Sequence, residues 1–240
     1  LSAINLQIGE PKHATPDFIR QAMIDHMDGL SAYPMTLGSV SLRNTLANWI
    51  QRRFNSTEIN PDTEVIPVNG SREALFSFAQ AVVDTDKDRA MVICPNPFYQ
   101  IYEGAVLLAG AEPYFMNASS QNHFACDFFF FFDAIWSNTQ LVYVCSPNNP
   151  TGRVMALEEW EQLFELSDRY GFVIASDECY SEIYFAETAP PLGALDAAQR
   201  MGRYGFPRLM VFNSLSKRSN VPGLRSGFVA GDAQILEKFL

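Results

Sequence analysis

Short apolar runs alternate along the chain with longer stretches of helical period. The apolar runs are "EVIPV" (64–68), "AMVIC" (90–94), "LVYVC" (141–145), "FVIAS" (172–176), "LMVFN" (209–213) and "SGFVAG" (226–231). Runs of that length bounded by turn residues predict buried strands. Between them the spacing predicts helices over Arg72–Val83, Tyr99–Ala109 and Leu157–Tyr170, and a last one from Ala233 onward. The stretch "LEEWEQLFELSDRY" sets Trp160, Leu163, Phe164 and Leu166 mainly on one side and carboxylates on the other, as a helix lying on a sheet requires. The alternation predicts an α/β domain with a mostly parallel central sheet and helices on both faces.

One segment departs from the pattern. "DFFFFFD", Asp127 to Asp133, places five phenylalanines between two aspartates. It reads as a buried strand or the edge of a helix, and a run so apolar and β-prone is an aggregation hazard wherever it is exposed. There is no internal repeat and no low-complexity linker.

The polar residues concentrate after the strands: "NGSREAL", "PNPFY", "SPNNPTG", "DECY" and "SLSK" follow the first five runs. In open α/β sheets ligands bind beyond the carboxyl ends of the strands, so these five loops are expected to converge on one crevice.

Composition narrows the partners. With 48% hydrophobic residues in 240, the chain can bury a sizeable core, and a formal charge of −10 without a local basic patch opposes binding to nucleic acid or an anionic membrane. Cys94, Cys126, Cys145 and Cys179 lie far apart in or beside apolar runs, as buried free thiols of a reducing compartment do. No window of eighteen apolar residues occurs, and the first residues lack a basic segment followed by an apolar one, so a cytoplasmic location is expected.

What the loops offer is a grip on a phosphate beside a lysine. Gly70 and Ser71 open a helix, whose first N–H groups seat an anion, although the same pair also serves as a plain turn and cap. "SLSKRSNVPGLR" brings two hydroxyls, an ammonium and a guanidinium into one loop. The nucleotide motifs GxxxxGK[ST] and GxGxxG are absent. Pyridoxal phosphate carries both a phosphate and an aldehyde, and requires a lysine for the aldehyde and an acid for its pyridine nitrogen. Of the four lysines, Lys12 lies in an N-terminal loop, Lys87 in a polar turn and Lys238 in the last helix; Lys217 alone follows a central strand. Asp177 ends the apolar strand "FVIAS", where a carboxylate is costly to bury without a cationic partner; its other reading is a helix N-cap.

The ordered set "NNPTG", "SDECY" and "SLSK" followed by Arg225 resembles the class I and II aminotransferases of the aspartate aminotransferase fold. The resemblance implies a pyridoxal phosphate enzyme in which Lys217 binds the cofactor covalently and then moves the substrate Cα proton, while Asp177 keeps the pyridine nitrogen protonated. It implies that Asn149 and Tyr180 hydrogen-bond the ring oxygen and that Tyr99 stacks on the ring. Gly70, Ser71, Arg72, Ser214, Ser216 and Arg225 would hold the phosphate. Gly9, in "IGEPKHATP", and Asn149 would face the substrate, and Tyr33, in "YPMTLGSVSLR", would reach the phosphate of a neighbouring subunit, making the protein a homodimer; Tyr33 reads equally as a surface turn. No metal is implied.

The openings and the "SLSKRSNVPGLRSGFVAGD" stretch are most similar to the succinyldiaminopimelate aminotransferases of lysine biosynthesis. The expected reaction moves an amino group between an amino acid, glutamate, and a 2-keto acid, N-succinyl-2-amino-6-ketopimelate. A β-lyase or synthase of the same fold, or a non-catalytic regulatory domain that binds the cofactor, would use the same residues. On the resemblance, residues 1–32 form an N-terminal segment with a substrate-side loop and 33–240 the cofactor-binding large domain, while the carboxy-terminal small domain, with the arginine that pairs the substrate carboxylate, lies outside the chain.

Overall fold

A computed structural model of the chain describes residue 4 and residues 9–54, 58–87, 89–128 and 132–240. Its strands are β1 (Val65–Val68), β2 (Met91–Asn96), β3 (Glu112–Asn117), β4 (Thr139–Cys145), β5 (Val173–Asp177), β6 (Leu209–Ser214) and β7 (Gly227–Gly231), in one sheet of order β1-β7-β6-β5-β4-β2-β3. Neighbours from β3 through β6 pair in parallel; β7 runs antiparallel to both β6 and β1. Thus β1 points the same way as the parallel strands, and its carboxyl end joins theirs at one edge.

All six apolar runs are strands of this sheet. The seventh, β3, escapes the sequence pattern because it is an edge strand, bonded only to β2: "EPYFMN" mixes exposed and half-buried positions and carries a proline, which an edge tolerates.

The helices are α1 (Asp17–Asp25), α2 (Val40–Phe54), α3 (Ser71–Val82), α4 (Gln100–Leu108), the one-turn α5 (Asp133–Trp136), α6 (Leu157–Tyr170), α7 (Ala194–Arg200), the one-turn α8 (Leu215–Arg218) and α9 (Ala233–Phe239). Here α3, α4, α6 and α9 follow the predicted spacing. Helix α2 is hidden in the sequence because its buried face runs Arg43, Ala47, Ile50, Phe54, with an arginine in a core position. Arg43 is 4% exposed; its guanidinium donates to the carbonyls of Gly38 and Pro61 and pairs with Asp62 at 3.2 Å.

Strand alternation divides the core between the two faces of the sheet. Val142 and Val144 of β4 pack with Trp160, Leu163 and Phe164 of α6, whereas Leu141 and Tyr143 pack with Leu75 and Phe78 of α3 and Tyr102 and Val106 of α4. A sheet covered on both faces leaves its strand ends as the place for a ligand. Of the phenylalanine run, Phe128 is buried in the first of these cores and Phe132 is exposed just before α5; Phe129, Phe130 and Phe131 lie outside the described residues.

Candidate active site

The carboxyl ends of β1, β2, β4, β5 and β6 surround a cavity of about 620 Å³, a size ordinary for a cofactor or small substrate. Gly9, Ser71, Arg72, Tyr99 and Asn149 line it on one side or another, as do Asp177, Tyr180, Ser214, Ser216, Lys217 and Arg225. Two of the expected residues do not line it. Gly70 is buried just before α3, and Tyr33 lies in the loop before α2, wholly exposed at 102%.

At the cavity floor Asp177 closes β5, 5% exposed, and burial pushes its carboxyl above the ordinary range even though hydrogen bonds from Cys179 and Tyr102 act to lower it. Oδ1 accepts from the N–H of Cys179 at 3.2 Å, and Oδ2 accepts from the hydroxyl of Tyr102 at 2.7 Å. Asp177 caps no helix; it ends a central strand with its side chain in the cavity wall. Among the described residues it makes no ion pair, so it is a buried acid suited to a cation or a proton-bearing nitrogen supplied from the cavity.

On the side of β4, Asn149 Nδ2 donates to the Tyr180 hydroxyl at 3.1 Å. Burial pushes the Tyr180 phenol up to about 12, which keeps it a neutral donor. Opposite, Lys217 sits in the single turn α8 directly after β6, and its Nζ donates to the carbonyl of Gly9. Asn220 Nδ2 donates to the carbonyls of His13 (2.5 Å) and Ala14 (2.9 Å), tying the N-terminal loop to the same segment. The ring of Tyr99 stands at the start of α4, 6.0 Å from that of Tyr102 and edge-on to it.

The anion seat is built where α3 begins. Gly70 has φ +105°, and a Cβ there would lie 2.2 Å from Arg225 Nη2, so only glycine lets the guanidinium approach the helix entrance. Arg225 itself holds φ +53°, uncommon for a residue with a side chain, and donates to Glu73 Oε2 at 2.6 Å. The Ser214 and Ser216 hydroxyls are 2.9 Å apart, and Ser214 Oγ accepts from the N–H of Ser216 at 3.0 Å. The Ser71 hydroxyl meets the Cys179 thiol at 2.9 Å. Hydroxyls, a guanidinium and the first N–H groups of α3 are the donor set a phosphate needs.

Three contributors escaped the sequence reading: Tyr102, Glu73 and Cys179. Tyr102 carried a signal, because it stands three residues after Tyr99 in "FYQIY" and a helical turn returns it to the same face. Glu73 and Cys179 gave none, since both act through contacts that only the tertiary fold creates.

Next to Asp177, Glu178 turns away from the cavity. It is 1% exposed, its Oε1 accepts from the N–H of Ala194 (2.7 Å) and the Ser176 hydroxyl (3.2 Å), and Oε2 has no hydrogen-bond partner. Burial pushes this carboxyl up from 4.5 to about 7. Between those values the native chain holds a proton that the unfolded chain releases, so stability falls as pH rises through that window. Glu178→Gln is therefore expected to gain about 3 kcal/mol at pH 8 and almost nothing at pH 4. Urea denaturation at the two pH values reads it; an equal gain at both would show that folding does not raise the carboxyl's pKa.

Residues 2–240 match the family described as aminotransferase class I and II. An LL-diaminopimelate aminotransferase of Trichormus variabilis is 32% identical over 98% of the chain, and that of Nitratidesulfovibrio vulgaris 34% over 97%. The chain spans 58% of the length of each. The crystal structure of an aminotransferase from Neisseria meningitidis superposes with a TM-score of 0.95 at 52% identity, over 99% of this chain and 60% of that one. One from Helicobacter pylori gives 0.90 at 41%, over 98% and 60%.

Proposed function

Because the chain belongs to the class I and II aminotransferases, a family that uses pyridoxal phosphate, we propose that it binds this cofactor in the cavity above β5 and transfers an amino group between an amino acid and a 2-keto acid. The observation that carries the reading is one cavity with a buried, unpaired acid at its floor, a lysine on its wall and a glycine-opened anion seat at one end. The cofactor fits those residues. When bound, pyridoxal phosphate supplies an electron sink for the pair released at a substrate Cα.

Each residue then has a separate task. Ser71, Ser214, Ser216 and Arg225, with the backbone of Arg72, would hold the phosphate, Arg225 exchanging its bond to Glu73 for it, while Gly70 leaves room for the guanidinium. Asp177 would face the pyridine nitrogen as an anion and favour a proton there. Tyr180 would donate its hydroxyl to the ring oxygen, helped by Asn149, and the Tyr99 ring would cover the face. Lys217 would bind the aldehyde covalently, and its Nζ is the base that would carry the substrate's Cα proton. Gly9, whose carbonyl already meets Lys217, and Asn149 face the substrate.

Glutamate as donor and N-succinyl-2-amino-6-ketopimelate as acceptor extend the reading to lysine biosynthesis, supported by the diaminopimelate named in the relatives' own descriptions. The large domain occupies 33–240, preceded by the substrate-side segment 1–32. A homodimer is supported by the apolar surface around the exposed Tyr33, where Met27, Leu30 and Met35 are also exposed and α1 buries no residue. No helix among the described residues is long and apolar enough to cross a membrane, in keeping with a cytoplasmic enzyme.

The test is a single half-reaction with pyridoxal phosphate bound. Glutamate should yield 2-oxoglutarate and the aminated cofactor, and the succinylated keto acid should reverse it. Elimination products such as ammonia and pyruvate from a β-substituted amino acid, without 2-oxoglutarate, would favour a lyase. Sedimentation of the same preparation should read two chains per particle; a monomer would remove the role of Tyr33.

A further inference from the structure

The hydroxyl of Tyr102, from the first turn of α4, donates to Asp177 Oδ2 at 2.7 Å. Its side chain is held from several directions. It is 1% exposed, its ring stacks on Tyr143 at 4.8 Å and 15°, and the Tyr143 hydroxyl in turn donates to the carbonyl of Leu75 in α3 at 2.8 Å. The other groups that act on the Asp177 carboxyl are the Cys179 N–H on Oδ1 and the neutral Cys145, Cys179, Tyr99 and Tyr180 side chains, with the Glu178 carboxyl on the far side of the strand.

A buried carboxylate without a cation keeps its charge only through the hydrogen bonds given to it. For Asp177 these come from the Tyr102 hydroxyl on Oδ2 and from Cys179, whose backbone N–H and thiol both lower the carboxyl; among the described residues Tyr102 is the one donor supplied from another element of the fold. Burial and the Asp177 charge raise the Tyr102 phenol well above its ordinary range, so it stays a donor and never competes for the negative charge.

We propose that Tyr102 is a positioning residue whose hydroxyl holds Asp177 as an anion facing the cavity, so that a proton shared by Asp177 and the cofactor's pyridine nitrogen rests on the nitrogen. The inference depends on the reading of Asp177 given above. Tyr99 is the extended residue that caps α4 and Tyr102 lies in the helix's first turn, so one helix start places both the aromatic ring on the cavity wall and the hydroxyl on the acid.

The test uses the protein reconstituted with pyridoxal phosphate labelled with 15N in the ring. In the parent protein the ring nitrogen should give the chemical shift of a protonated pyridine. Tyr102→Phe should move it toward the unprotonated value, weaken cofactor binding about 10-fold, and lower kcat more than it changes KM. Tyr143→Phe removes the bond to Leu75 but leaves the hydrogen bond to Asp177, and should leave the shift in place. Replacing Tyr102 with 3,5-difluorotyrosine keeps the shape with a stronger donor, and should hold the nitrogen protonated even if the phenylalanine variant folds poorly. An unmoved shift in Tyr102→Phe, an equal movement in Tyr143→Phe, or a loss of protonation with difluorotyrosine overturns the role of Tyr102 alone. If the parent protein takes up no cofactor at Lys217, the reading of the site falls and this inference with it.

Discussion

Lys217→Ala is expected to fold and to keep the cavity while losing turnover by roughly 10³-fold or more, because in the proposed mechanism it removes both the covalent hold on the cofactor and the base that handles the Cα proton. The side chain is half-buried and its contact is with the Gly9 carbonyl, so the cost in stability should stay under about 1 kcal/mol. Serines 214 and 216 and Arg225 remain, and pyridoxal phosphate should still bind, reversibly and through its phosphate. Equilibrium dialysis with the free cofactor, beside the glutamate half-reaction, separates the two losses. Unchanged turnover in this variant would remove Lys217 from the mechanism.

Asp177→Asn is expected to move two quantities in opposite directions. With the cofactor bound, the variant lacks the anion proposed to hold the nitrogen's proton, and turnover should fall about 10²–10³-fold with cofactor affinity about 10-fold to 100-fold lower. Without the cofactor, the variant should be more stable than the parent at neutral pH. Burial raises the Asp177 carboxyl above its unfolded value, so the native protein loses stability as pH rises from the unfolded value through the folded one, and a neutral amide avoids that loss. Thermal melts of the two proteins with and without pyridoxal phosphate measure both signs together. A variant destabilised in both states would make Asp177 a structural acid of the strand end.

The opposition between those signs follows from how the chain was built, and much of it was legible in the sequence. Central strands buried on both faces must be written almost wholly in apolar residues, so β2, β4, β5 and β6 stood out, and the abrupt polar loop after each marked the edge where a site belongs. Asp177 could be picked out because it directly follows such a run, and Lys217 because it lies in the short polar loop that comes after one. The less visible parts are those in which polar residues do structural work. Arg43 occupies a core position of α2 because Gly38, Pro61 and Asp62 satisfy its guanidinium, and β3 carries Pro113 because an edge has a bond to spare. The Tyr102–Asp177 hydrogen bond joins residues 75 positions apart, and no local pattern specifies such a pair. Tyr33 was readable as either a surface turn or a contact to a second subunit, and its full exposure is compatible with both.

Everything proposed for this cavity depends on Lys217 being the lysine that carries pyridoxal phosphate. The most direct test is to incubate the purified protein with the cofactor, reduce it with borohydride, and map the modified lysine by peptide mass spectrometry. One pyridoxyl group per chain, on Lys217, is the expected result. Its absence, or label spread over Lys12, Lys87 and Lys238, would contradict that assignment.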